Sequence, residues 1–112
     1  MGDKEFALKL IWSEEFSQDT GTAPNPEVWG RDIGDGTDYG IPGWGNNELQ
    51  VYTFENAYVN SEQKLEIEAL RITDGSKGDA YYGPVQWTSA RLVTKNKLHV
   101  QYGQIVIRMG RR

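Results

Sequence analysis

Short stretches in which apolar and polar residues alternate, broken by glycine and proline, dominate the chain. In Lys64-Leu65-Glu66-Ile67-Glu68-Ala69 the apolar side chains fall on one face of an extended strand and the charges on the other. From Gln104 to Met109, Ile105, Ile107 and Met109 share a face in the same way. The pattern predicts strands over Leu8–Trp12, Leu49–Phe54, Ala57–Asn60, Lys64–Arg71, Trp87–Thr94 and Gly103–Met109. No heptad, sustained helical period or internal repeat competes with this reading. The expected fold is an antiparallel all-β domain whose strands are dry on one face and wet on the other. Two loops interrupt it, from Asp19 to Asn47 and from Thr73 to Gly83, and loops of that length over a sheet commonly carry recognition.

The chain has 112 residues and no cysteine, so one small domain must hold together by apolar burial alone. Four Trp, six Tyr and three Phe carry much of the 38% hydrophobic content. Aromatic rings serve cores and flat ligand faces alike, so composition leaves both uses open. A formal net charge of −4 argues against a nucleic-acid partner. No apolar run approaches the roughly 18 residues of a membrane span, and the first residues lack the pattern of a signal peptide.

The chemistry-bearing candidates separate by how well their surroundings suit them. Asp32, Asp35 and Asp38 are spaced by three, which suits a solvated turn better than a calcium loop. Glu62, Glu66 and Glu68 share a strand face, as paired catalytic carboxylates would, but no aromatic or basic residue in that strand shapes a site, and a charged outer face accounts for them. His99 is alone, without a second histidine or a nucleophile motif, and reads as a surface residue. Pro42-Gly43-Trp44-Gly45-Asn46-Asn47-Glu48-Leu49-Gln50 is different, because it joins a flat ring, flexible glycines, two amides and a carboxylate. Sugars offer a CH face for stacking and hydroxyls that both donate and accept, which is what this set provides. A structural loop around a buried Trp44 is the competing reading. In Trp87-Thr88-Ser89-Ala90-Arg91-Leu92, alternation places Trp87, Ser89 and Arg91 together, suited either to a hydroxylated ring or to pairing with an acid.

Taken in order, four stretches resemble glycoside hydrolase family 16, in particular its endo-β-1,3-glucanases. They are Leu10-Ile11-Trp12-Ser13-Glu14-Glu15-Phe16; Gly43-Trp44-Gly45-Asn46-Asn47-Glu48-Leu49-Gln50-Val51-Tyr52-Thr53; Asn56-Ala57-Tyr58 with Lys64 to Ala69; and Thr88-Ser89-Ala90-Arg91-Leu92 with Thr94-Lys95 and Tyr102-Gly103. The resemblance implies a concanavalin-like jelly-roll β-sandwich, with residues 1–112 as a single partial domain, roughly its N-terminal half. It implies that Trp44, Asn46, Asn47, Glu48, Trp87 and Arg91 line a cleft for β-1,3-glucan or mixed-linkage glucan. No cofactor is required, although many members hold a structural Ca²⁺, for which the main-chain carbonyls of Glu15 and Gln63 stand in the corresponding places. A secreted location follows by the same resemblance.

The family's catalytic signature, Glu-x-Asp-x-x-Glu or Glu-x-Asp-x-Glu, does not occur in these residues, and Val106 stands where many members carry Glu. Retaining hydrolysis needs both glutamates. The expectation is therefore a laminarinase-like glucan-gripping half without catalytic carboxylates. A non-catalytic β-glucan-binding module and an unrelated all-β interaction domain are the alternatives. Half a jelly roll leaves edges unpaired and an apolar face uncovered, so self-association through sheet edges is expected.

Overall fold

The computed structural model describes residues 9, 10, 12–18, 20–101 and 103–110. Nine short strands follow one another among the described residues: β1 Gly30–Asp32, β2 Gln50–Tyr52, β3 Ala57–Val59, β4 Leu65–Ile67, β5 Leu70–Arg71, β6 Asp79–Ala80, β7 Gly83–Pro84, β8 Trp87–Ser89 and β9 Arg91–Val93. The only helical turns among the described residues are 3-10 turns at Thr37–Tyr39 and Pro42–Gly45. The all-β expectation holds. No helix among the described residues is long and apolar enough to cross a membrane.

Pairing joins segments far apart in the chain. β2 and β5 flank β8 in a three-stranded sheet, and β1 pairs with β9 in another. β3–β4 and β6–β7 are local hairpins. Most pairs are antiparallel as expected, but β2 runs parallel to β8, with Gln50, Val51 and Tyr52 opposite Trp87, Thr88 and Ser89. A parallel pair needs a long crossover, and the chain from Thr53 to Gln86 supplies it.

Several predicted strands are cut where the partner changes. Trp87–Thr94 breaks at Ala90: before it the chain pairs with β2 and β5, and after it with β1, Asp32 standing opposite Arg91. Lys64–Arg71 divides likewise into β4, which pairs with β3, and β5, which pairs with β8. Leu49–Phe54 and Ala57–Asn60 shorten to β2 and β3. Each of the two long loops contributes a strand, β1 in the first and β6 in the second. The strand expected over Gly103–Met109 does not form; Ile105, Val106, Ile107 and Met109 are 68–89% exposed. Alternation supplies a dry face, but a strand also needs a neighbour to take its N–H and C=O groups, and this segment has none among the described residues. Of the expected strand Leu8–Trp12, Leu8 and Ile11 lie outside the described residues, and Lys9, Leu10 and Trp12 are not in a strand.

The buried apolar residues among those described are Tyr52, Ala57, Val59 and Val85, joined by the polar Asn56 and Thr88. Asn56 is fully engaged. Its amide N–H group donates to the Glu68 carbonyl at 2.9 Å and the Thr88 hydroxyl at 3.0 Å, and its oxygen accepts the Thr53 hydroxyl. This amide ties the β3 hairpin to the underside of the three-stranded sheet. The opposite face of that sheet carries Gln50, Tyr52, Trp87 and Arg71, which the β2–β8–β5 register sets side by side.

Candidate functional site

The loop ahead of β2 is wound tightly before it reaches the sheet. Gly43, Trp44 and Gly45 are consecutive left-handed residues at φ 64°, 55° and 77°, and Asn47 follows at φ 57°. Glycine takes this conformation freely, whereas Trp44 adopts it at a cost on the order of 1–2 kcal/mol. The Asp35 carbonyl accepts the Gly43 N–H at 2.8 Å, and the Ile41 carbonyl accepts the Trp44 N–H at 2.8 Å. Gly36 lies directly beneath, and a Cβ there would stand 2.2 Å from the Ile41 carbonyl oxygen and 3.0 Å from the Trp44 nitrogen. The Asp32–Asp38 stretch is thus a clasp for this loop. Asp35 accepts the N–H groups of Thr37 at 2.9 Å and Tyr81 at 2.7 Å. Partial burial raises its carboxyl pKa, but these bonds outweigh it and the net shift is downward.

So held, the Trp44 ring packs on Tyr39 at 5.3 Å and on Tyr52 at 5.8 Å, and its indole N–H donates to the Gly34 carbonyl at 3.4 Å. The Arg91 guanidinium sits 5.1 Å from the Trp44 ring centre and 5.0 Å from that of Tyr52. Two carboxylates hold it there, Asp32 at 3.6 Å and Glu48 at 3.8 Å. Glu48 also accepts the Asn46 amide at 2.9 Å, the Gln50 amide at 3.0 Å and the Tyr52 hydroxyl at 2.8 Å.

The Asn46 hydrogen bond holds the Glu48 carboxyl below the usual carboxylate range; burial opposes it, and the Tyr52 hydroxyl and Arg91 charge reinforce it. Burial, with the bond to Glu48 in support and that from Gln50 against, pushes the Tyr52 phenol up. A carboxyl depressed in the folded state adds stability above its unfolded pKa of about 4.3, and that gain is lost as pH falls through the lowered value. Trp44 fluorescence is therefore expected to stay constant from neutral pH to about 5 and to change only below about 4. A transition near neutrality would exclude Glu48 as the group that holds the loop.

The structure brings Trp44, Asn46, Glu48 and Arg91 into one cluster. Asn47 sits at its rim, exposed and without a protein partner among the described residues. Trp87 stands one strand over, opposite Gln50, and its guanidinium partner is Arg71 at 5.1 Å, not Arg91. Glu15 lies in the segment ahead of β1, and Gln63 takes the left-handed place (φ 57°) of the β3–β4 turn. Among the described residues no group of three His, Cys, Asp or Glu side chains is placed to hold a metal. Glu66 and Glu68 both meet the Tyr58 hydroxyl, while Glu62 pairs with Lys64 at 3.4 Å, so the three glutamates do not form one face. His99 is exposed.

Sequence reasoning missed several residues that build the site. Tyr52 and Gln50 were legible in principle, since alternation from Glu48 puts all three on one side. Asp32 and Tyr39 gave no such sign. Tyr81 and Tyr82 dock the tip of the β6–β7 hairpin, donating to the carbonyls of Glu48 at 3.1 Å and Leu49 at 2.6 Å.

Comparison with known proteins bears out the laminarinase resemblance. The chain is 41% identical to a beta-glucanase of Rhodothermus marinus over 109 residues, which are 95% of this chain and 32% of that protein. The laminarinase catalytic domain of Thermotoga maritima superposes with a TM-score of 0.66 at 41% identity, over 85% of this chain and 35% of that one. The endo-1,3-beta-glucanase (laminarinase) catalytic domain of Thermotoga petrophila gives 0.67 at 40% identity, over 87% and 35%. The chain spans about a third or less of the length of the curated relatives it matches. No family model matches it.

Proposed function

We propose that this chain forms part of the β-glucan-binding cleft of a laminarinase-type retaining endo-β-1,3-glucanase. The observation that carries the reading is the Trp44–Tyr52–Arg91–Glu48 cluster, an aromatic floor with a guanidinium fixed above it by two carboxylates. A pyranose ring can stack by its CH face on the half-buried Trp44. Arg91 then donates to its hydroxyls, Glu48 accepts from others, and the amides of Asn46 and Asn47 donate or accept. Trp87 offers a further ring along the same sheet face. Because the ion pairs preset Arg91, little freedom is lost when a sugar arrives.

The 112 residues hold no Glu-x-Asp-x-x-Glu or Glu-x-Asp-x-Glu, so the role proposed for them is to grip and orient the glucan rather than to cleave it. The same property supports the second reading, a β-glucan-binding module without catalysis. A polymeric glucan as ligand goes with a protein that acts outside the cell. Exposed Ile67 and Leu70 at the sheet margins support self-association as part of the proposal.

For the structural Ca²⁺ that the fold family often holds, the resemblance offers two main-chain carbonyls, those of Glu15 and Gln63. Calcium takes six to eight oxygens, and the Glu15 and Gln63 carbonyls are not joined by a cluster of carboxylates among the described residues. These residues do not by themselves fit the ion.

Titration with laminarin tests the reading. Trp44→Ala and Arg91→Ala are each expected to weaken binding about tenfold or more, the loss of one ring stack or one set of charge-assisted hydrogen bonds. Sizing of the same samples reads the self-association. Equal affinity in wild type and both variants would sink the site, and reducing-sugar release from laminarin by this chain would sink the binding-only role.

A further inference from the structure

Two guanidinium groups lie over aromatic rings on the same sheet face, and their surroundings differ. Arg91 is neutralised by Asp32 and Glu48. Arg71, 5.1 Å from the Trp87 ring centre, is exposed and has no carboxylate within ion-pair distance among the described residues. Arg71 also lines an open hollow of about 290 Å³ together with Thr73, Pro84 and Gln86. The β2–β8–β5 register places it two strand spacings from Gln50, about 10 Å across the sheet. Arg71 thus stands on the same sheet face as Gln50 and Tyr52, while the hollow it lines shares no residue with the Trp44 cluster. Its lining combines a planar cation, a hydroxyl and an amide with the flat face of Pro84, and the Trp87 ring lies against the guanidinium beside it, a set suited to a hydroxylated ring.

We propose that Arg71 is a specificity-determining residue: with Trp87, Thr73 and Gln86 it forms an outer subsite that takes one further pyranose of a long glucan. This rests on the glucan-binding reading of the Trp44 cluster. Short ligands fill the floor around Trp44 and Arg91, and only longer ones reach the hollow. The Arg71 guanidinium, lying on Trp87 in the free protein, then turns its N–H groups to the incoming hydroxyls. No ion pair has to break for it to do so.

The test is an affinity ladder of linear β-1,3-linked oligosaccharides, from disaccharide to octasaccharide, on the full 112-residue chain. Wild type should gain affinity in steps, including a late step for the longest members. Arg71→Ala should remove that late step, about tenfold, and leave short ligands unchanged. Arg71→Lys keeps the charge without the planar fork and should restore little of the step. Equal weakening at every length, or none at any length, would overturn the outer subsite. If Trp44→Ala abolishes binding while Arg71→Ala is silent, only the outer subsite falls. If wild type binds no member of the ladder, the glucan reading falls and takes the subsite with it.

Discussion

Gly36→Ala is expected to unseat Trp44 and to cost about 3 kcal/mol of stability. Two penalties combine at this position. The backbone stands at φ +93°, where a residue with a Cβ is strained. The added methyl would also lie 2.2 Å from the Ile41 carbonyl oxygen, a backbone atom that cannot swing aside. The turn carrying Gly43 and Trp44 has to open, and with it go the Gly43 bond to the Asp35 carbonyl and the Trp44 contacts with Tyr39 and Tyr52. Chemical denaturation read by tryptophan fluorescence measures the effect, and laminarin titration should show binding lost in parallel. A Gly36→Ala protein with wild-type stability and affinity would mean that the clasp does not position Trp44. Gly34→Ala is the control: its φ of +95° brings the same strain, but a Cβ there meets nothing within 4 Å, so the smaller penalty isolates the clash.

Asn56→Ala should destabilise the fold by about 3–4 kcal/mol while leaving the proposed ligand face intact. The Asn56 side chain is the polar centre of the core, and removing it strands the Glu68 carbonyl and the Thr88 hydroxyl, each losing a bond near 3 Å. Thr88 is only 1% exposed, so water does not readily replace the amide. Unpaired buried groups cost about 1–3 kcal/mol each, and the emptied space adds to that. Thr88→Val keeps the shape and strands less, so about 1–2 kcal/mol is expected. Urea unfolding curves decide between them. A loss for Asn56→Ala no larger than that for Thr88→Val would show that the amide is not the tie between the hairpin and the sheet. Because Asn56 lies under the sheet and Trp44 above it, the fraction that remains folded should bind laminarin as wild type does.

What the sequence made legible was local. Alternation told which side chains of Gln50-Val51-Tyr52 and Leu65-Glu66-Ile67 share a face, and both stretches are strands. It was blind to the choice of partner. Trp87 to Thr94 reads as one uninterrupted strand, yet the neighbour changes at Ala90, because pairing is set by which segment lies alongside and not by the pattern of the strand itself. The parallel β2–β8 pair was hidden for the same reason, since alternation carries no sign of direction. Gly103–Met109 shows the converse, a good pattern with no ladder. In the site, Trp44, Glu48 and Arg91 stood out as a ring, an acid and a cation near glycines and amides. Tyr81 and Tyr82 did not, because their contribution is phenol hydroxyls reaching the carbonyls of Glu48 and Leu49, a contact that exists only once the hairpin has docked.

The long-range register of the floor has a consequence for the order in which the molecule assembles. Gly30 meets Val93 and Gln50 meets Trp87, whereas the β3–β4 and β6–β7 hairpins close between near neighbours. Distant pairings wait on the entropy of closing large loops, so the hairpins can form early and the floor forms late. The part of the chain proposed to meet the glucan is then also the part least supported by local structure. A glucan bridging the Trp44 loop and Arg91 would link segments that the backbone joins only through a long excursion, and by mass action it would hold closed what the chain alone closes last.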